Sequence, residues 1–180
     1  MKKVYTSACV IIPPEEKWEK IQEIRKKYDR QINRWMPHIN LLYPFIPESR
    51  FKRFEKRFEV VCSQIESFEI ILKNFKYFTH RRESYTIWLE PEPNEPVKEL
   101  QLELLKILPE CNDVNKFKGG YTPHLSVGQI YSYDKLIKLI EKLQNSWNLI
   151  RFEVDKIYFI AREQSKDSSF EIKTSINLKS

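Results

Sequence analysis

The sequence predicts an α+β fold made of two similar lobes, and three observations carry that prediction. Short apolar strands alternate with amphipathic helices. The order of elements runs twice: each half reads as strand, helix, histidine-bearing strand, helix, strand, polar turn, strand. Landmarks recur at a nearly constant offset. His38 and His124 are 86 positions apart, Phe68 of "FEI" and Phe152 of "FEV" 84, and Tyr85 of "YTI" and Phe170 of "FEI" 85. The expectation is a single bilobal domain over residues 1–180, with lobe one about 1–90 and lobe two about 97–180, and with strand exchange between lobes allowed. Two antiparallel sheets would face a central groove, with helices outside.

Each element has a local reason. Val4–Ile12 is an apolar, β-branched run and reads as a buried strand. "PPEEKWEKIQEIRKKY" opens with prolines and acids and closes with basic residues. Trp18, Ile21, Ile24 and Tyr28 recur at helical spacing, so it reads as a helix with charges matched to its dipole. Residues 37–45 form the strand of His38. "ESRFKRFEKRFEVVCSQI" aligns Phe51, Phe54, Phe58, Val61 and Ile65 on one helical face, leaving its lysines and arginines as the wet face. Residues 68–78 and 85–89 are strands joined by the polar "THRRES". "EPEPNEP", residues 90–96, reads as a linker, because proline stops helix and central strand alike. Residues 97–108 form a helix, and "CNDVNKFKGG" a loop. A strand over 121–130 carries His124, and a helix follows over 133–147. Residues 151–161 read as one strand, "REQSKDSS" as a turn and 170–176 as the last strand.

Composition narrows the function. The 180 residues are 41% hydrophobic and 31% charged, with mean hydropathy −0.56 and no apolar run long enough to span a membrane. "MKKVYTSACVIIPPEE" reads as a buried first strand rather than an export leader, because acids and prolines follow its short apolar run. Cys9, Cys62 and Cys111 are few, odd in number and without metal spacing, which fits buried thiols in a cytoplasmic protein. The net charge of +6 fits an anionic partner such as RNA or a phosphorylated small molecule.

Two of only three histidines share a frame: "PHINL" at 37–41 and "PHLSV" at 123–127. Along a strand, residues i and i+2 project to the same face. His38 therefore projects with Asn40, and His124 with Ser126, while Ile39, Leu41, Leu125 and Val127 face the helices. Packed about a pseudo-twofold axis, the halves place two imidazoles and two short hydrogen-bonding groups in one groove. That set suits phosphoryl transfer: a base for the nucleophile, an acid for the leaving oxygen and donors for the non-bridging oxygens. It needs no cofactor, and no ligand cluster for a metal is visible.

The paired frames resemble the two-histidine (2H) phosphoesterases, including RNA ligase-like proteins and cyclic nucleotide phosphodiesterases, whose mark is His-x-Thr/Ser-apolar, twice, about one lobe apart. "HLSV" fits it; "HINL" departs, with Asn40 in place of Thr or Ser. The resemblance implies a bilobal fold, a groove between lobes, His38 and His124 as catalytic acid and base in unspecified order, and Asn40 and Ser126 as phosphate ligands. It implies a metal-independent phosphodiesterase, monomeric, acting on a 2′,3′-cyclic phosphate or a 2′–5′ linked RNA end or nucleotide. The alternatives are a non-catalytic RNA-end or nucleotide-binding module whose site is degenerate at Asn40, and an ADP-ribose cyclic phosphate hydrolase. Tyr43, Tyr121 and Trp35 flank the motifs as candidate substrate contacts by stacking. Arg82 and Arg162 lie in the strand–turn–strand segments as candidate contacts to a terminal phosphate. His80 lacks the frame and reads as a surface residue. Lys116–Gly120 reads either as a loop that closes over a ligand or as a plain connector.

Overall fold

The computed structural model describes residues 2–116, 119–165 and 167–180. In order come β1 (Ser7–Ile11), α1 (Trp18–Tyr28), β2 (Ile39–Leu42), α2 (Phe51–Cys62), β3 (Phe68–His80), β4 (Ser84–Glu92), α3 (Glu95–Ile107), β5 (Leu125–Tyr131), α4 (Tyr133–Ser146), β6 (Ile150–Val154), β7 (Lys156–Ala161) and β8 (Glu171–Asn177). Every strand pairing is antiparallel, and the sheet order is β6-β3-β4-β5-β2-β1-β7-β8. The class is α+β, as the patterning requires. The two four-stranded halves share an edge: β2 and β5 join them into one eight-stranded sheet through the register pair Ile39–Leu125. Each four-stranded half takes two strands from the first half of the chain and two from the second.

Period-two burial explains why one face is covered. Cys9, Ile11, Ile39, Leu41, Ile70, Leu72, Leu125, Val127, Ile157 and Phe159 point to one side, where they form one core with the apolar stripes of all four helices. The α1 helix lies against β5, α4 against β3 and β5, α2 against β8, and α3 against β2 and α2. Close approach of α1 needs Gly128, where an added Cβ would sit 2.5 Å from Tyr28 Cβ. Ala8, Val10, Ile12, Ile160 and Phe170 form a smaller cluster on the other face, with Trp18, Trp35, Met36, Tyr43 and Tyr158 packed against them.

Two expectations change. The single strand expected over 151–161 is two, on different halves: β6 pairs with β3 and β7 with β1. The inward phase runs Ile150, Phe152, Val154 and then Ile157, Phe159, so it slips at Asp155. The expected linker at 90–96 is not one. β4 runs to Glu92 and α3 starts at Glu95. Pro91 is tolerated beside the bulge where β3 shifts register between Leu72 and Phe75, and Pro96 sits in the first turn of α3.

Candidate active site

The histidine frames meet at the seam. With Ile39 opposite Leu125, antiparallel register puts His38 across from Ser126 and Asn40 across from His124. All four side chains lie on the face away from the helix-covered core, half-buried. Diagonal neighbours in such a ladder are ~7–8 Å apart at Cα.

Both rings are held the same way. His38 Nδ1 donates to the Met36 main-chain carbonyl at 2.7 Å, and His124 Nδ1 to that of Thr122 at 2.8 Å. With a carbonyl as partner, each Nδ1 must carry hydrogen, so in the neutral ring Nε2 is the acceptor. The Asn40 amide Nδ2 lies 3.2 Å from His38 Nε2 and donates to it, while Asn40 Oδ1 is buried without a hydrogen-bond partner among the described residues. The Ser126 hydroxyl has no hydrogen-bond partner among the described residues.

Aromatic walls flank the two rings. Trp35 stacks on His38 (4.5 Å, 16°) and also on Phe170 (3.8 Å, 26°). Phe78 and Trp88 stack on each other at 4.8 Å and meet the His124 ring edgewise at 4.9 and 5.9 Å. Burial pushes His38 down to about 4; the Met36 bond opposes this, the charges of Arg25 and His124 add to it, and Asp29 opposes it. Burial also lowers His124, against its bond to Thr122. Both shifts favour the neutral imidazole.

The remaining candidates scatter. The Tyr121 hydroxyl donates to the Asn40 carbonyl at 2.7 Å and straps β2 to the approach to β5, so its polar group is engaged by the protein. Trp35 has ring neighbours in His38 and Phe170 and edge contact with Tyr43. The Tyr43 hydroxyl reaches the Tyr5 carbonyl at 3.3 Å. Arg162 stands over Phe170 and donates to the Glu163 and Ser165 carbonyls and to Ser168 Oγ. Arg82 lies at the exposed tip of the β3–β4 hairpin with φ 59°. Ser84, beside that tip, is four residues, about 13 Å, along β4 from Trp88. His80 is on that hairpin too, bonded to Thr86 Oγ1 at 2.9 Å. The Lys116–Gly120 loop falls partly on Phe117 and Lys118, outside the described residues. The sequence reading missed Phe78 and Trp88. Alternation along β3 and β4 signals their shared face with His80 and Thr86, but only the sheet order brings β4 beside β5. Among the described residues, no three His, Cys, Asp or Glu side chains gather as a metal site, and no helix is long and apolar enough to cross a membrane.

A curled antiparallel sheet with twin histidine strands at its seam is the architecture of the two-histidine phosphoesterases. A family model of the 2′-5′ RNA ligase superfamily matches residues 13–166, and the chain belongs to that superfamily. Its fold is similar to TT0787 of Thermus thermophilus (TM-score 0.62, 14% identity, covering 96% of this chain and 97% of that one). It is also similar to E. coli LigT in apo form (TM-score 0.58, 14% identity, 99% and 100%) and to LigT complexed with 3′-AMP, with the same values. No curated protein matches by sequence.

Proposed function

We propose that the chain is a metal-independent phosphodiesterase that hydrolyses a 2′,3′-cyclic phosphate or a 2′–5′ linked RNA end or nucleotide to a phosphomonoester. The observation that carries this reading is the seam itself: two imidazoles on diagonal positions, each with Nδ1 tied to a carbonyl, so that Nε2 is the acceptor of each neutral ring. His38, the ring pushed to about 4, stays neutral and serves as base. Its Nε2 takes a proton from water as the water oxygen attacks phosphorus. His124, protonated, gives its Nε2 hydrogen to the leaving ribose oxygen as the P–O bond breaks. The negative charge of a bound phosphate raises both lowered imidazoles, which allows one of them to carry that proton. Ser126 and the Asn40 amide donate to the non-bridging oxygens. LigT's capture with 3′-AMP, a ribose phosphomonoester, supports the choice of product class.

The test is turnover of 2′,3′-cyclic nucleotides and 2′–5′ dinucleotides in EDTA, with His38→Ala and His124→Ala beside the wild type. Each variant is expected to lose at least about a hundredfold in rate, the range of acid–base catalysis. An alanine variant as fast as wild type overturns the mechanism. The second reading, a binding module without turnover, is favoured by one observation: the Asn40 amide occupies His38 Nε2. It predicts binding of the same nucleotides with no product.

A further inference from the structure

Arg25 is only 2% exposed, on the face of α1 that also buries Ile21 and Ile24. A buried guanidinium is tolerated only when its donors are directed to partners. Here Nε donates to Asp29 Oδ2 at 2.8 Å, Nη1 to Gln22 Oε1 at 2.9 Å and Nη2 to the Trp35 main-chain carbonyl at 2.8 Å. Asp29, 8% exposed, uses Oδ1 to accept the Gln31 main-chain N–H at 2.9 Å and Gln129 Nε2 at 3.2 Å. Gln129 Oε1 in turn accepts the Arg30 N–H at 3.1 Å. Gln129 lies on β5, three residues past Ser126. One ion pair thus links α1, the segment 29–36 and the strand that follows His124.

The far end of that segment holds His38. Trp35 stacks on its ring, and the Met36 carbonyl takes its Nδ1 hydrogen. The Trp35 and Met36 carbonyls are consecutive, so fixing the first restricts the backbone that aims the second. Stability alone is a poor reason for such a pair, since well-packed apolar replacements of buried ion pairs are often neutral or better.

We propose that Arg25 and Asp29 are positioning residues. Through Trp35 they aim the Met36 carbonyl at His38 Nδ1, which keeps Nε2 the proton acceptor, and through Gln129 they hold that ring in register with His124. The kinetic consequence rests on the function proposed above; the tautomer does not. The experiment is therefore ¹⁵N NMR of the imidazoles at neutral pH. In wild type, His38 is expected as the Nδ1–H tautomer. In Arg25→Met with Asp29→Asn, which leaves no carboxylate buried alone, His38 is expected to shift toward Nε2–H while His124 is unchanged. Arg25→Lys cannot fork to both Asp29 and Trp35, so it should not restore the wild-type signal. Gln129→Leu, at a half-exposed site, is expected to shift His38 less and in the same direction, and it carries the test if the double variant does not fold. Where turnover is measurable, kcat falls at least about tenfold with KM changed less than about twofold, as expected for a misoriented imidazole. An Nε2–H tautomer of His38 in wild type, or an unchanged His38 signal in a folded variant, overturns the proposal. A wild type that shows the Nδ1–H tautomer, with the expected shift in the variants, yet turns over none of the substrates counts against the phosphodiesterase reading and leaves the positioning role standing.

Discussion

Ile39 of β2 and Leu125 of β5 are directly opposed, and they are the register pair that joins the two halves of the sheet. Each is the residue after a motif histidine. Because both are apolar and face the helices, their burial turns His38, Asn40, His124 and Ser126 to the other side together. The site is thus a consequence of core packing at the seam.

Ser126 is the simplest member of that array to test. Its hydroxyl has no protein partner among the described residues, so Ser126→Ala strands no buried group. The expected result is an unchanged unfolding midpoint with a loss of about tenfold in kcat/KM, equivalent to one lost donor to phosphate of ~1.4 kcal/mol. A drop in stability with full activity would make Ser126 a structural residue.

Asn40 is the departure from the family frame, and its amide sits on His38 Nε2. Base catalysis needs that contact to open. Asn40→Thr replaces the amide with a shorter hydroxyl, freeing Nε2 while keeping a donor for phosphate. A faster rate is expected, within about tenfold, and it is read in single-turnover assays. Asn40→Leu removes the donor altogether and should raise KM for the same substrate. If Asn40→Thr is slower, the amide is a working part of the site rather than an obstruction.

The pH profile follows from two lowered imidazoles. The value of kcat/KM reports the free enzyme, which under the proposed mechanism needs His38 neutral and His124 protonated. His38 gains a proton near pH 4, and His124 loses its proton below 6.5. The optimum is therefore expected on the acid side of 6.5 and above about 4. A maximum at pH 8 would contradict the assignment of His124 as the acid.

How much of this was legible beforehand depends on the range of the interaction. The histidine frames were readable because strand alternation is local, and the helices because their stripes are. The break at Asp155 was visible as a phase slip, yet it reads through as one strand because both pieces are apolar. Trp88 and Phe78 became neighbours of His124 only through the order β3-β4-β5. Arg25 looked like one more cation on a basic helix end. Its burial depends on the 29–36 segment folding back over it, which no periodicity encodes.

Stability carries a second pH signature. Burial lowers His38 in the folded state, so the unfolded chain binds more protons between about 4 and 6.5. Stability should therefore fall as pH drops through that window, by at most ~1.4 kcal/mol per pH unit for one group. Above 6.5 the term vanishes, because both states are neutral. Urea midpoints at pH 7 and pH 5, compared between wild type and His38→Gln, isolate it. The variant should show the shallower slope, and equal slopes would mean that His38 is not desolvated.

Gly128 tests how tightly α1 registers on β5. A methyl there would meet Tyr28 Cβ at 2.5 Å and the Tyr28 backbone C and O at 3.1 Å. Because backbone atoms are among the obstacles, the helix must shift as a body, and Gly128→Ala should cost about 1–3 kcal/mol, the range for overpacking. The shift would begin at the helix end that leads into Asp29 and the segment holding His38, so the His38 amide and ring resonances should move more than those of His124. Adding Tyr28→Ala does not rescue the variant, since Cβ and the backbone remain; Tyr28→Gly relieves the Cβ clash and recovers part of the lost midpoint. Full recovery with Tyr28→Ala would place the contact on the phenol ring and show that α1 sits farther from β5 than Gly128 requires.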